Sequence, residues 1–218
     1  MPKYTPKNKA KLKNLIKNNK IYLGDIDTRK ITDMSKLFFK SKRKDFSGIE
    51  SWDTSNVKNM RAMFFGCSDF NQNISSWNVS NVVDMNKMFM WCNSFNQPLD
   101  AWDVSNVYDM NCMFYGCSNF NQNISNWNVS NVRYMNFMFC ECRSFNQPLD
   151  TWDVSNACDM SFMLADCYNF EQSLYEWKIP IKTITNNMLL NCDKIKDFPA
   201  DWIESFEELR SSELCEKL

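Results

Sequence analysis

From residue 52 onward the apolar positions recur on a fixed beat. Trp52, Trp77, Trp102, Trp127, Trp152, Trp177 and Trp202 stand 25 residues apart, and so strict a period is the signature of a stacked repeat. One full unit runs from Ile74 to Pro98. Its first part alternates: Trp77 and Val79 share one side, Asn78 and Ser80 the other, which is the period of a strand. Its second part places apolar residues at Val82, Met85, Met88, Phe89 and Cys92. Gaps of three, three, one and three predict a short helix. Each unit is therefore expected to be a strand, a turn and about two helical turns, closed by Phe95, Asn96 and Gln97.

Stacking such units sets equivalent residues side by side. The expected inward columns are the tryptophans, Val79 to Val154, the methionine pairs from Met60/Met63 to Met160/Met163, Phe70 to Phe170, and Phe64 to Phe139 continued by Leu164 and Leu189. Burying one Trp removes ~200 Å² from water, worth several kcal/mol at ~25 cal/mol per Å² before the entropy of ordering. These columns read as core. The polar columns Asn56 to Asn156 and Asn71 to Asn146 read as corner residues that satisfy backbone groups of their own and the adjacent coil.

The pattern frays at both ends. Asp27, Ile31 and Met34 stand 26 residues before Asp53, Val57 and Met60 and mark a worn first repeat. Residues 1–20 are expected to form an N-terminal capping helix with Thr5 as N-cap and Pro6 at the first helical position. They hold seven lysines and no acid. Residues 21–199 are expected to be about seven 25-residue repeats, with Thr185 in the methionine column and Pro180 interrupting the strand. Residues 200–218 read as an acidic C-terminal capping helix, with Glu204, Glu207, Glu208 and Glu213 around Trp202, Phe206 and Leu209. A basic head and an acidic tail suggest head-to-tail association.

Composition narrows the chemistry. The 218 residues contain no His, which removes the commonest general base and the commonest neutral metal ligand. No nucleophile motif or phosphate loop stands out, so a non-enzymatic protein without cofactor or metal is expected. Net charge is −1, which gives no general reason to bind nucleic acid. No apolar run is long enough to span a membrane, and neither a secretory signal nor a lipidation motif is visible; the expectation is a cytoplasmic protein without membrane insertion. Six of the ten cysteines form a column, Cys67, Cys92, Cys117, Cys142, Cys167 and Cys192. No zinc-type Cys-x-x-Cys pair exists, so they read as buried thiols in a reducing compartment.

The spacing Ile-x-x-Trp-x-Val-x-x-Val-x-x-Met-x-x-Met-Phe-x-x-Cys-x-x-Phe resembles a leucine-rich repeat. The wording Trp-Asp-Val-Ser-Asn-Val, then Met, Met-Phe and Phe-Asn-Gln, is similar to the 25-residue repeat of BspA-like bacterial surface proteins, over about residues 21–177. The resemblance implies an α/β repeat solenoid of leucine-rich-repeat type, with short parallel strands on one face, short helices on the other and helical caps. It also implies surface, adhesion or host-interaction roles, so the cell surface is the alternative location.

Two surfaces are candidates for function. The outward positions of the helical stretch carry Phe65, Trp91, Tyr108, Tyr115, Tyr134 and Phe137, with Met90 and Phe162 beside them; aromatics on one side are what an interface core needs. The column after Trp alternates Asp53, Asn78, Asp103, Asn128 and Asp153 and would line the concave strand face. The alternation follows a 50-residue superperiod, Asn-Gln-Asn-Ile-Ser against Asn-Gln-Pro-Leu-Asp, and keeps carboxylates about 10 Å apart, two coils, where adjacent ones would repel. The expected function is a non-catalytic scaffold that binds another protein or itself; the alternative is a surface adhesin or glycan binder using the polar column.

Overall fold

A computed structural model describes residues 2–195 and 197–199. The predicted C-terminal capping helix at 200–218, with Trp202, lies outside the described residues.

Along the repeats the predicted hydrophobic columns are the core. The Trp column from Trp52 to Trp177, the valines, the methionine pairs and the phenylalanines are all buried, most at 0–3% exposure; Leu189, in the fading last coil, is half-buried. Successive indoles stack in parallel, as between Trp102 and Trp127 at 6.5 Å. Phe64 stacks on Phe89 at 5.7 Å and Phe89 on Phe114 at 5.6 Å. Each indole N–H donates to a carbonyl of the preceding coil: Trp77 to Ile49 (3.0 Å), Trp102 to Ile74 (3.1 Å), Trp127 to Leu99 (2.9 Å). One residue thus fills the core and hydrogen-bonds two coils together, which is why Trp fits this slot better than any other aromatic.

The elements between the columns overturn the expected α/β solenoid. Among the described residues the only α-helix is α1, Lys9–Ile16, joined by 3-10 turns at Leu23–Asp25 and Ile49–Ser51. Among the described residues no repeat contains an α-helix, and β-pairing is confined to isolated parallel bridges: Asp33 with Asn59, Asn59 with Asp84, and so on to Asp159 with Ile184. There is neither a sheet of short strands on one face nor a layer of helices on the other, so the leucine-rich-repeat architecture does not apply.

What forms instead is a coil of consecutive turns. Within the unit Ile74–Leu99, backbone N–H groups close i to i+3 turns: Trp77 to Ile74, Val82 to Val79, Met88 to Met85, Cys92 to Phe89 and Phe95 to Cys92. A chain of such turns brings residues three apart to the same side. Inward positions at gaps of three and one are therefore shared by a helix and by linked turns, and spacing alone does not separate them. Two observations show turns. Lys87 and Trp91 have φ of 59° and 63°, and their equivalents in neighbouring coils, Ala62, Cys112, Phe137, Glu141 and Phe162, are also left-handed; a right-handed helix cannot include them. The N–H groups of Met85, Lys87, Phe89 and Trp91 donate to Asp109, Asn111, Met113 and Tyr115 of the next coil. A helix would send all of these along its own axis. The turns release alternate amides to stitch coil to coil, which supports a left-handed residue costing ~1–2 kcal/mol each time.

The polar columns behave as corner residues. Asn81, Asn106 and Asn131 donate from Nδ2 to Ser55, Ser80 and Ser105 carbonyls of the preceding coil. Asn71 Oδ1 accepts from the next coil's Asn96 N–H and Gln97 Nε2, and Asn96 and Asn121 repeat the pattern.

At the head, the helix starts three residues later than expected. Asn8, not Thr5, is the N-cap, and its side chain accepts from Lys11 N–H. Pro6 lies before the helix, buried, because Tyr4 is held extended by a bridge to Ile26. Leu12 and Ile16 pack into the core. Arg43, only 4% exposed, ties this cap down by donating to the carbonyls of Ile16, Ile21 and Asp45.

Candidate functional site

The two candidate surfaces fall on different parts of the coil. Residues 83–91 and their equivalents carry the backbone bonds between coils, and all six outward aromatics project from this ladder side.

Three aromatic groups are assembled there. Trp91 meets Tyr115 edge-on at 4.7 Å, Tyr115 meets Phe137 at 6.2 Å, and Phe137 stacks on Phe162 at 4.7 Å. This row crosses four coils, and every member is half-buried. Phe65 stacks on Phe39 at 4.7 Å, with Lys40 Nζ 5.6 and 5.8 Å from the two rings. Tyr108 and Tyr134 meet edge-on at 5.5 Å beside Arg133, and are 46% and 37% exposed.

The row is held from beneath. Trp91 lies across Gly116: a Cβ there would sit 2.3 Å from its Cε3, and Gly116 has φ of 72°. Lys40 crosses Gly66 in the same way. Large residue and glycine thus alternate over the first part of this column, Lys40, Gly66, Trp91, Gly116 and Glu141, and Asp166 ends the alternation. Tyr115 Oη donates to Glu141 Oε1 at 2.9 Å, and burial together with that carboxylate raises the phenol well above its usual pKa. Cys112 and Cys140 lie buried behind the row, their thiols pushed by burial to about 11 and about 12.

The Asp/Asn column is exposed, but it is not the concave face of a strand layer, because no strand forms there. Asp53, Asn78, Asp103 and Asn128 each use Oδ1 to accept the N–H and Oγ–H of the serine two residues on; Asp153 accepts the Ser155 N–H. These serine bonds lower the carboxyl pKa of Asp103 and Asp153. Asp and Asn therefore do the same local work as turn-forming side chains.

The cysteine column is a row of buried thiols. Each Sγ–H donates to a carbonyl of the preceding coil: Cys92 to Phe64 (3.1 Å), Cys117 to Phe89 (3.0 Å), Cys142 to Phe114 (3.0 Å). Burial pushes Cys67 up to about 11 and Cys92 and Cys142 well above the ordinary thiol range. Among the described residues all cysteines are free and no group of metal-binding side chains is assembled. No helix among them is long and apolar enough to cross a membrane.

A family model described as Mycoplasma protein of unknown function, DUF285, matches residues 9–115 and again 97–202. No curated protein and no solved structure matches the chain.

Proposed function

The chain belongs to this DUF285 family, whose description assigns no function, and from that premise we propose that it is a non-catalytic protein-interaction scaffold that binds through the aromatic row. The observation that carries the proposal is the row Trp91–Tyr115–Phe137–Phe162, half-buried and continuous across four coils. A row of rings pre-placed by Gly116 and Glu141 loses little conformational freedom on binding, and Trp and Tyr dominate interface energetics. The Tyr108–Tyr134 pair and Phe65 extend the same side.

The likeness of the repeat to that of BspA-type surface proteins supports an alternative in the same proposal, a surface-exposed adhesin or glycan binder at the cell surface. The Asp/Asn column is the weaker surface for it, since one oxygen of each side chain is already committed to a serine. A cytoplasmic location goes with the first reading.

The test compares the full chain with Trp91→Ser/Tyr115→Ser/Phe137→Ser and with Asp53→Asn/Asp103→Asn/Asp153→Asn as bait in extracts and on surface preparations of the native cell. A partner held by the full chain should be lost by the aromatic variant and kept by the Asp variant, with thermal unfolding of both still cooperative. A partner kept by the aromatic variant and lost by the Asp variant would move the site to the polar column.

A further inference from the structure

We infer that the basic groove at the head of the stack receives the acidic segment 201–216 of a second copy. This goes beyond the scaffold reading and uses a different surface. The groove has a volume of about 790 Å³ and lies between the extended N-terminal strap and α1. Its lining includes Tyr4, Leu15 and Ile21, partly buried apolar residues packed on the core, with exposed Lys3, Lys7 and Lys11 around them.

Lys3 is paired with Asp25 at 2.7 Å and Lys9 with Asp33, but none of the ion pairs among the described residues uses Lys7 or Lys11. Both flank the start of α1, whose first turn holds no acid. The positive end of a helix dipole is there crowded by cations. An apolar floor whose rim carries two lysines outside any ion pair of the described residues, Lys7 and Lys11, fits a ligand that is apolar in places and acidic between them.

Residues 201–216 have that composition: Trp202, Phe206 and Leu209 among Asp201, Glu204, Glu207, Glu208, Glu213 and Glu216. They follow the last coil, whereas the groove precedes the first. The bridges from Asp33 to Ile184 make six coil steps, about 29 Å at ~4.8 Å per step. Docking between copies therefore runs end to end and extends the stack.

The experiment is sedimentation of the full chain over a concentration series, at low and at high salt. Association should strengthen with concentration and weaken as salt screens the rim. Lys7→Glu/Lys11→Glu should raise the dissociation constant at least about tenfold, as should Glu204→Lys/Glu208→Lys. A mixture of these two variants, whose reversed charges match, should associate again, and each should melt near the parent temperature. The Trp91/Tyr115/Phe137 serine variant should associate normally, which separates this inference from the proposed scaffold function. A chain that stays monomeric throughout, including one closed on its own tail, overturns the inference. So does association that neither charge reversal weakens.

Discussion

Trp102 shows how much one side chain carries in this protein. It packs between Phe89 and the neighbouring indole of Trp127 and satisfies the Ile74 carbonyl. Trp102→Phe keeps a ring but removes one of two donors to that carbonyl, which the Trp77 N–H still reaches at 3.1 Å, and should destabilise by about 1–3 kcal/mol in urea unfolding, from lost area and one unmade buried bond. Arg43 is the polar counterpart. Burial lowers its pKa, yet its guanidinium serves carbonyls of the cap and of the first coil. Arg43→Met should cost about 3 kcal/mol and release the cap first, seen as early loss of amide protection over α1.

The buried thiols give a pH dependence whose sign is set by the direction of their shifts. Cys67 and Cys112 titrate at about 11 and Cys140 at about 12, above the ~8.5 of an unfolded thiol. The unfolded chain therefore gives up these protons first as pH rises. The stability they contribute is complete below the unfolded pKa and is lost as pH climbs through 9 towards the folded values. Urea midpoints should fall steadily from pH 8 to 10.5, and Cys112→Ala/Cys140→Ala should flatten that slope. Equal slopes in parent and variant would show that other groups govern alkaline unfolding.

At the scale of the element, the left-handed corners decide what the repeat is. Lys87 and Trp91 hold φ values that glycine reaches at no cost. Lys87→Gly should be neutral or stabilising by up to ~1 kcal/mol, whereas the same change inside a helix would destabilise by about that much. Thermal melts of this one variant thus discriminate linked turns from the helix that residue spacing suggested. Gly116→Ala acts in the opposite direction, because its Cβ would displace Trp91 and its φ is 72°; a loss of ~1–3 kcal/mol is expected, with disturbed aromatic near-UV circular dichroism.

The whole molecule is a stack in which each coil bonds its neighbours, so stability adds coil by coil. The 50-residue superperiod makes a clean deletion possible. Removing residues 96–145 joins Phe95 to Asn146, restores Phe-Asn-Gln-Pro across the junction and brings matching coils together. The shortened chain should fold and unfold cooperatively at a lower temperature. Removing only residues 96–120 would put two unlike versions of the unit out of alternation and delete Gly116, setting Glu141 at the position where Trp91 needs a glycine, and should cost more per coil removed.

The period, the buried columns, the cysteine row and the corner asparagines were legible in the amino-acid sequence, because each depends on one residue type recurring where equivalent positions touch. The six outward aromatics were legible for the same reason in reverse: they occupy slots that the core columns leave free. Secondary structure was not legible. Residues three apart face the same way in a helix and in linked turns; the left-handed φ of Lys87 and Trp91 and the direction of the amides of Met85, Lys87, Phe89 and Trp91, towards the next coil, tell them apart. That direction is a property of the stack and not of any single unit. The grouping of the rings, Trp91 with Tyr115 and Phe137 with Phe162, and the groove beneath the head were likewise decided by tertiary structure, since both depend on side chains about 25 residues apart, or on a strap and a helix, meeting in space.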